Sequence, residues 1–198
     1  MQRPRRLAGL TMVEVIVILV IIGVFIYLAI PAVTIGPTHS PYTRLLNNQR
    51  QLTLATQQMA LDGFTSEDPQ LGWPGDTGGT YSNWVGTLVK HNYLTLDDLS
   101  KLLAGPGLPV KKGQLPPMAD TAIRVYAVSS NSSPSTVLLT SANFTNTPTG
   151  GILTQDSSAP LGNQHFVVFR KGGDGSIYRA RSVGNTNVVG EFAPLCRE

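Results

Sequence analysis

The chain has 198 residues, 41% hydrophobic, 14% charged and 7% aromatic, which is too apolar for a disordered tail and too poor in charge for a coiled coil. Its formal charge of +3 reflects 15 Lys and Arg against 12 Asp and Glu, and Arg3, Arg5 and Arg6 account for the whole excess. The rest of the chain therefore has no surplus of cations for a phosphate groove, and no nucleic-acid partner is expected. A single cysteine, Cys196, excludes a disulfide-stapled fold.

Hydrophobicity concentrates near the N-terminus. From Val15 to Val33 the chain runs without a charge, and as a helix rising about 1.5 Å per residue this stretch reaches roughly 28 Å, close to the thickness of a bilayer's hydrocarbon layer. A transmembrane helix is expected over residues 10–35, because a single segment in lipid must satisfy its backbone internally. The arginines before it predict a cytoplasmic N-terminus and an exported remainder. A cleaved secretory signal peptide fits poorly: its apolar region spans roughly 7–15 residues, and Ala29 and Ala32 lack the spacing of such a cleavage site. Glu14 separates a plain anchor from something more specific, since a carboxylate at the hydrocarbon edge is costly and marks a functional position.

Gly9-Leu10-Thr11-Met12-Val13-Glu14, after a short basic leader and before an apolar run with Pro31 well inside it, resembles the cleavage and methylation signal of type IV prepilins and type II secretion pseudopilins. The resemblance implies a leader over 1–9, a cut between Gly9 and Leu10, and N-methylation of Leu10, which stands where phenylalanine is commoner. It also implies that Leu10, Glu14 and Pro31 serve subunit assembly. The ammonium created at Leu10 lies about one turn from Glu14, and a neighbouring subunit shifted along the bundle can bring its own Leu10 ammonium to this carboxylate. Such pairing sets register more than it adds stability.

Next, Leu45, Asn48, Leu52, Ala55 and Met59 recur at helical spacing, predicting an amphipathic helix within 36–62, from about Pro41 to Leu61. Ser40 is expected to cap it, Pro41 to fill its first position and Gly63 to end it. Leu46, Leu54 and Leu61 form a second apolar stripe, expected to pack against another element. Pro31, Gly36, Pro37 and Pro41 argue against one uninterrupted helix from the apolar run into this one.

Residues 63–198 are expected to form the head. Thr95 with Asp98 three residues later reads as a capping box for a short helix with Leu96, Leu99, Leu102 and Leu103 on its apolar face, ended by Gly105-Pro106. Trp73 and Trp84 fall in loop-like sequence and are expected to fix loops to the body. After Asp120 the period changes to two. AIRVYAVSS, STVLLTSAN, HFVVFRK and GSIYRARSV read as strands, with a short fifth in NVVGEF, and the GGDG between the last two full strands predicts a hairpin. Helix first and antiparallel meander last is an α+β order, which the pilin-like fold shares.

Scattered His39, His91 and His165 have no ligand spacing, and no nucleotide-binding or hydrolase motif occurs, so no enzyme activity is expected. Major pseudopilins can carry calcium in a C-terminal loop, and Asp174 is the matching position. Calcium takes six to eight oxygens, whereas SIYRARSVGNTN follows, so Asp174 is expected to serve the turn and no cofactor is expected. The resemblance, major-pseudopilin-like in its head, implies a non-enzymatic subunit of a short periplasmic filament that drives protein export. Its implied partners are further copies of itself, minor pseudopilins, a prepilin peptidase, an inner-membrane assembly platform, a cytoplasmic secretion ATPase and membrane lipid. The implied location is the bacterial inner membrane, single-pass, with the head periplasmic. A pilus subunit for adhesion, motility or DNA uptake, and a tethered binding domain that never polymerises, are the alternatives.

Overall fold

In the computed structural model the structure describes residues 12–34, 41–105, 108, 113–146, 153–155, 161–162, 164–179 and 189–198, with side chains of the first helix described up to Phe25. The chain divides into two compact units, Met1–Thr38 and His39–Glu198.

The first unit holds α1, Met12–Thr34. All of its described side chains, Met12 to Phe25, are exposed, and twelve of them are large and hydrophobic. Pro31 lies within the helix and does not end it. Among the described residues no helix is long and apolar enough to cross a membrane. The span expected over 10–35 is therefore not found among them.

The second unit is α+β. Its helices are α2 (Pro41–Ser66), α3 (Tyr81–Lys90) and α4 (Leu96–Leu103), followed by a single 3-10 turn at Met118–Asp120. Strands β1 (Ile123–Val125), β2 (Val137–Ser141), β5 (His165–Arg170) and β6 (Gly175–Arg179) form an antiparallel sheet in the order β1-β2-β5-β6, while β3 (Phe144–Asn146) and β4 (Leu153–Gln155) make a separate hairpin. Register is fixed by pairs such as Val125 opposite Leu139, Thr140 opposite Val168 and Phe166 opposite Tyr178, with an irregularity between Val137 and Leu139. All five residues of β2 are buried, as are the four central residues of β5. Both faces of these strands are covered, so the period of two expected there gives way to consecutive apolar residues, Val137–Leu139 in β2 and Phe166–Phe169 in β5.

Helix α2 packs on β5, β6 and α4 with Leu45, Gln49, Leu52, Thr53, Thr56, Met59 and Gly63 inward. Burial of each large apolar side chain contributes about 1.5–3 kcal/mol. Three polar contacts fix its rotation: Asn48 donates to the Leu102 carbonyl (3.2 Å), Gln57 donates to the Lys171 carbonyl (3.1 Å), and Trp84 Nε1 donates to Thr56 Oγ1 (3.1 Å).

Gly63 does not end α2, contrary to expectation. The helix continues to Ser66, and Glu67 takes the left-handed conformation (φ 55°). The Asp68 N–H then bonds back to the Gly63 carbonyl (3.2 Å), which is a Schellman closure. Gly63 is needed for a close approach instead, since a Cβ there would lie 2.2 Å from the Leu71 carbonyl oxygen. Ser40, the expected cap, lies outside the described residues.

Helix α3 occupies sequence expected to be loop. Its core face is Tyr81, Trp84, Val85 and Leu88, a spacing of three, four and seven that the Gly and Thr residues around it obscure. Helix α4 forms as expected, with Thr95 Oγ1 accepting from the Asp98 N–H at 3.1 Å and Leu99, Leu102 and Leu103 buried. The last described stretch, 189–198, forms a laced strap where the short fifth strand was expected. The Val137 N–H donates to the Glu191 carbonyl, Ala127 to Pro194, Cys196 to Val125 and Tyr81 to Arg197, at 2.7–2.9 Å. The strap thereby covers the outer edge at Val125–Ala127 and ties down the start of α3.

Candidate functional site

Of the residues singled out for processing and assembly, Gly9 and Leu10 lie outside the described residues. Glu14 sits in the first turn of α1 and is exposed, where an acid is favoured by the helix dipole. Around and beyond it, Val15 to Phe25 present an exposed apolar surface interrupted only by Gly23. A helix that is hydrophobic all round requires lipid or other helices to cover it.

The head supplies a second candidate surface. On the outward side of α2, Leu54 is 56%, Leu61 58% and Phe64 86% exposed. The second apolar stripe expected to pack inside the head is therefore turned to solvent, save for Leu46, which is partly buried against the core. Arg44 and Arg50 are also exposed. Asp62 lies between Leu61 and Phe64, and Glu67 and Asp68 follow the stripe. Asp62 accepts from Tyr93 Oη and Gln58 Nε2, both at 2.8 Å. Burial first, and then this bond to Asp62, pushes the Tyr93 hydroxyl up to about 12.

Asp174 closes the β5–β6 hairpin. The Arg170 N–H donates to the Asp174 carbonyl (2.9 Å), and Gly173 adopts φ 91°, a conformation that favours glycine. The Asp174 carboxylate is held by the Arg170 guanidinium, which also donates from Nε to the Val189 carbonyl (2.9 Å) and from Nη2 to Tyr178 Oη (2.6 Å). Burial works against the Arg170 charge, but Asp174 and Tyr178 outweigh it and hold its pKa above the ordinary value. Asp174 is thus committed to a protein cation within the turn. Among the described residues no three His, Cys, Asp or Glu side chains gather as a metal-ligand set.

Compared with protein-family models, curated proteins and solved structures, the chain matches none.

The other residues of interest serve the body. Trp84 is fully buried in α3, and Trp73 is partly buried beneath the Lys171 ammonium, 5.3 Å from its ring centroid. His165 packs against Tyr42 (5.3 Å) and His91 lies beside Tyr93 (6.5 Å), while His39 lies outside the described residues. Cys196 is a buried free thiol whose pKa burial pushes up to about 12.

Proposed function

We propose that the chain is a pseudopilin-like structural subunit, cut by a prepilin peptidase between Gly9 and Leu10 and assembled into a short periplasmic filament that drives protein export. The observation that carries this reading is the juxtaposition of Gly9, Leu10 and Glu14 in sequence with an exposed helix bearing twelve large apolar side chains. The uncharged run Val15–Val33 supports anchoring in the inner membrane with the head on the periplasmic side. Once cut, the subunit would turn its apolar helix to neighbouring copies, with Glu14 accepting the Leu10 ammonium of the next. Minor pseudopilins, an assembly platform and a secretion ATPase complete the machine under this reading.

Cys196 favours the secretion filament over a pilus. Many pilus subunits close a C-terminal loop with a disulfide, whereas here backbone hydrogen bonds hold the strap.

Mass determination of the mature N-terminus tests the reading. Methyl-leucine from Leu10 is expected, and Gly9→Val should leave the precursor uncut. Glu14→Leu should be processed normally yet fail to give cross-linked ladders in membranes. An intact Met1–Gly9 segment on the wild-type protein, in cells with active prepilin peptidase, would overturn the reading. Equal ladders from wild type and Glu14→Leu would favour the tethered binding domain.

A further inference from the structure

We propose that the head binds an internal water molecule between Gln49 and Thr53, beneath the middle of α2. The site lies within the folded core, so it stands whether or not the chain forms a filament.

Gln49 and Thr53 are 0% and 1% exposed, and both belong to the inward face of α2. Four residues apart on a helix, they are neighbours with Cβ atoms about 5–6 Å apart. Among the described residues five buried side-chain atoms lack a hydrogen-bond partner, and three of the five meet here: Gln49 Nε2, Gln49 Oε1 and Thr53 Oγ1. The other two, His91 Nε2 and Asn143 Oδ1, are single atoms in separate parts of the head. Asn143 is otherwise satisfied, since its Nδ2 donates to the Gly162 and His165 carbonyls at 2.9 and 2.8 Å.

The elements on which α2 packs, β5, β6 and α4, leave the pair without a protein partner. The buried residues of β5 are Phe166–Phe169, all apolar, and no residue of β6 is fully buried. Those of α4 are three leucines and Ser100, whose hydroxyl already donates to the Asp97 carbonyl at 2.9 Å. One turn further along α2, Thr56 shows the same face with its polar group provided for. Its hydroxyl donates to the Leu52 carbonyl at 2.8 Å and accepts from Trp84 Nε1 at 3.1 Å.

An amide and a hydroxyl shut away from solvent cost more unpaired than a made bond returns, and buried polar groups are accordingly bonded to protein or to ordered water. The chemistry of this cluster suits one water. It can accept from a Gln49 Nε2–H and donate to Gln49 Oε1 and Thr53 Oγ1, three bonds, the usual number for a buried water. Since the site is closed to solvent, that water leaves only when α2 lifts locally from the sheet, and its exchange reports that opening.

The test uses the full-length chain in detergent micelles, with the glutamine side-chain amides isotopically labelled for NMR. The resonances that vanish in Gln49→Met identify the Gln49 amide. Its protons should show cross-peaks to the water line with NOE and ROE of opposite sign, which distinguishes a held water from proton exchange, while the exposed Gln51 should show exchange alone. Urea melts give a second reading. Gln49→Met and Thr53→Val each strand part of the site and should lower the folded-to-unfolded ratio at least about fivefold. The double variant removes every polar atom of the site and should return to the wild-type ratio or exceed it. A restored double variant with no water cross-peaks at Gln49 in the wild type would mean that the two side chains bond each other directly. A rise in stability from each single variant would mean that both are buried with no partner at all. Either result overturns the proposal.

Discussion

Glu67 holds a left-handed backbone conformation (φ 55°) at the end of α2, where a side chain costs about 1–2 kcal/mol relative to glycine. Part of that cost is recovered because glycine loses more freedom on folding. Glu67→Gly should accordingly raise stability by about 0.5–1 kcal/mol, seen as a higher urea midpoint with an unchanged slope. The position was not legible in sequence. Gly63 looked like the helix end because glycine commonly sits there, whereas its lack of a side chain actually serves the contact with Leu71. Cys196 allows a different test. Its thiol is raised from 9.0 to about 12 by burial, so the folded state keeps a proton that the unfolded chain releases. The associated stability is whole below pH 9 and is lost as the pH rises toward about 12, at about 1.4 kcal/mol per pH unit. Burial and Glu198 also raise the Tyr81 hydroxyl, which adds in the same direction. Urea melts at pH 8 and pH 10 should show this decline, and it should be shallower in Cys196→Ala. An unchanged slope in that variant would mean the thiol is already ionised or exposed in the native state.

At the scale of elements, α4 is the most self-contained piece. Thr95 accepts from the Asp98 N–H, and Leu99, Leu102 and Leu103 complete the buried face. Thr95→Ala should cost about 1 kcal/mol, a fall of roughly 2–4 °C in Tm for a domain of this size, and Thr95→Ser should recover most of it. Both α4 and the β5–β6 hairpin were legible because their determinants are neighbours in the chain. Helix α3 was not. Gly86 and Thr87 lower its intrinsic helix propensity, and the face that stabilises it, Tyr81, Trp84, Val85 and Leu88, acts only through the core it packs into. Leu54 and Leu61 show the converse limit. Their spacing correctly marks an apolar side of α2, but periodicity does not tell a face that packs within the head from one turned to solvent. The assembly signal at Gly9, Leu10 and Glu14 was readable because it is linear. The stripe on α2 became meaningful only once its exposure was known.

For the whole molecule, the division at residues 38 and 39 sets the expectation for truncation. Residues 39–198 contain the buried core from Leu45 to Cys196 and should fold alone. This fragment should remain in the supernatant after high-speed centrifugation and unfold in one cooperative transition. Recovery of that fragment with washed membranes would show that the head itself carries a membrane-binding surface.

The strap at 189–198 bears on how the head folds. Its bonds join Tyr81 to Arg197 and Val125 to Cys196, so they close loops of roughly seventy to more than a hundred residues, and contacts of such long range form late and slowly. Until they form, the edge at Val125–Ala127 presents unpaired backbone groups beside an apolar sheet, the arrangement through which nascent sheets join one another edge to edge. The interval before the strap closes is therefore when this protein is most exposed to aggregation. A substitution that loosens the strap would act mainly by prolonging that interval, reducing the yield of folded chains before it altered anything the finished head does.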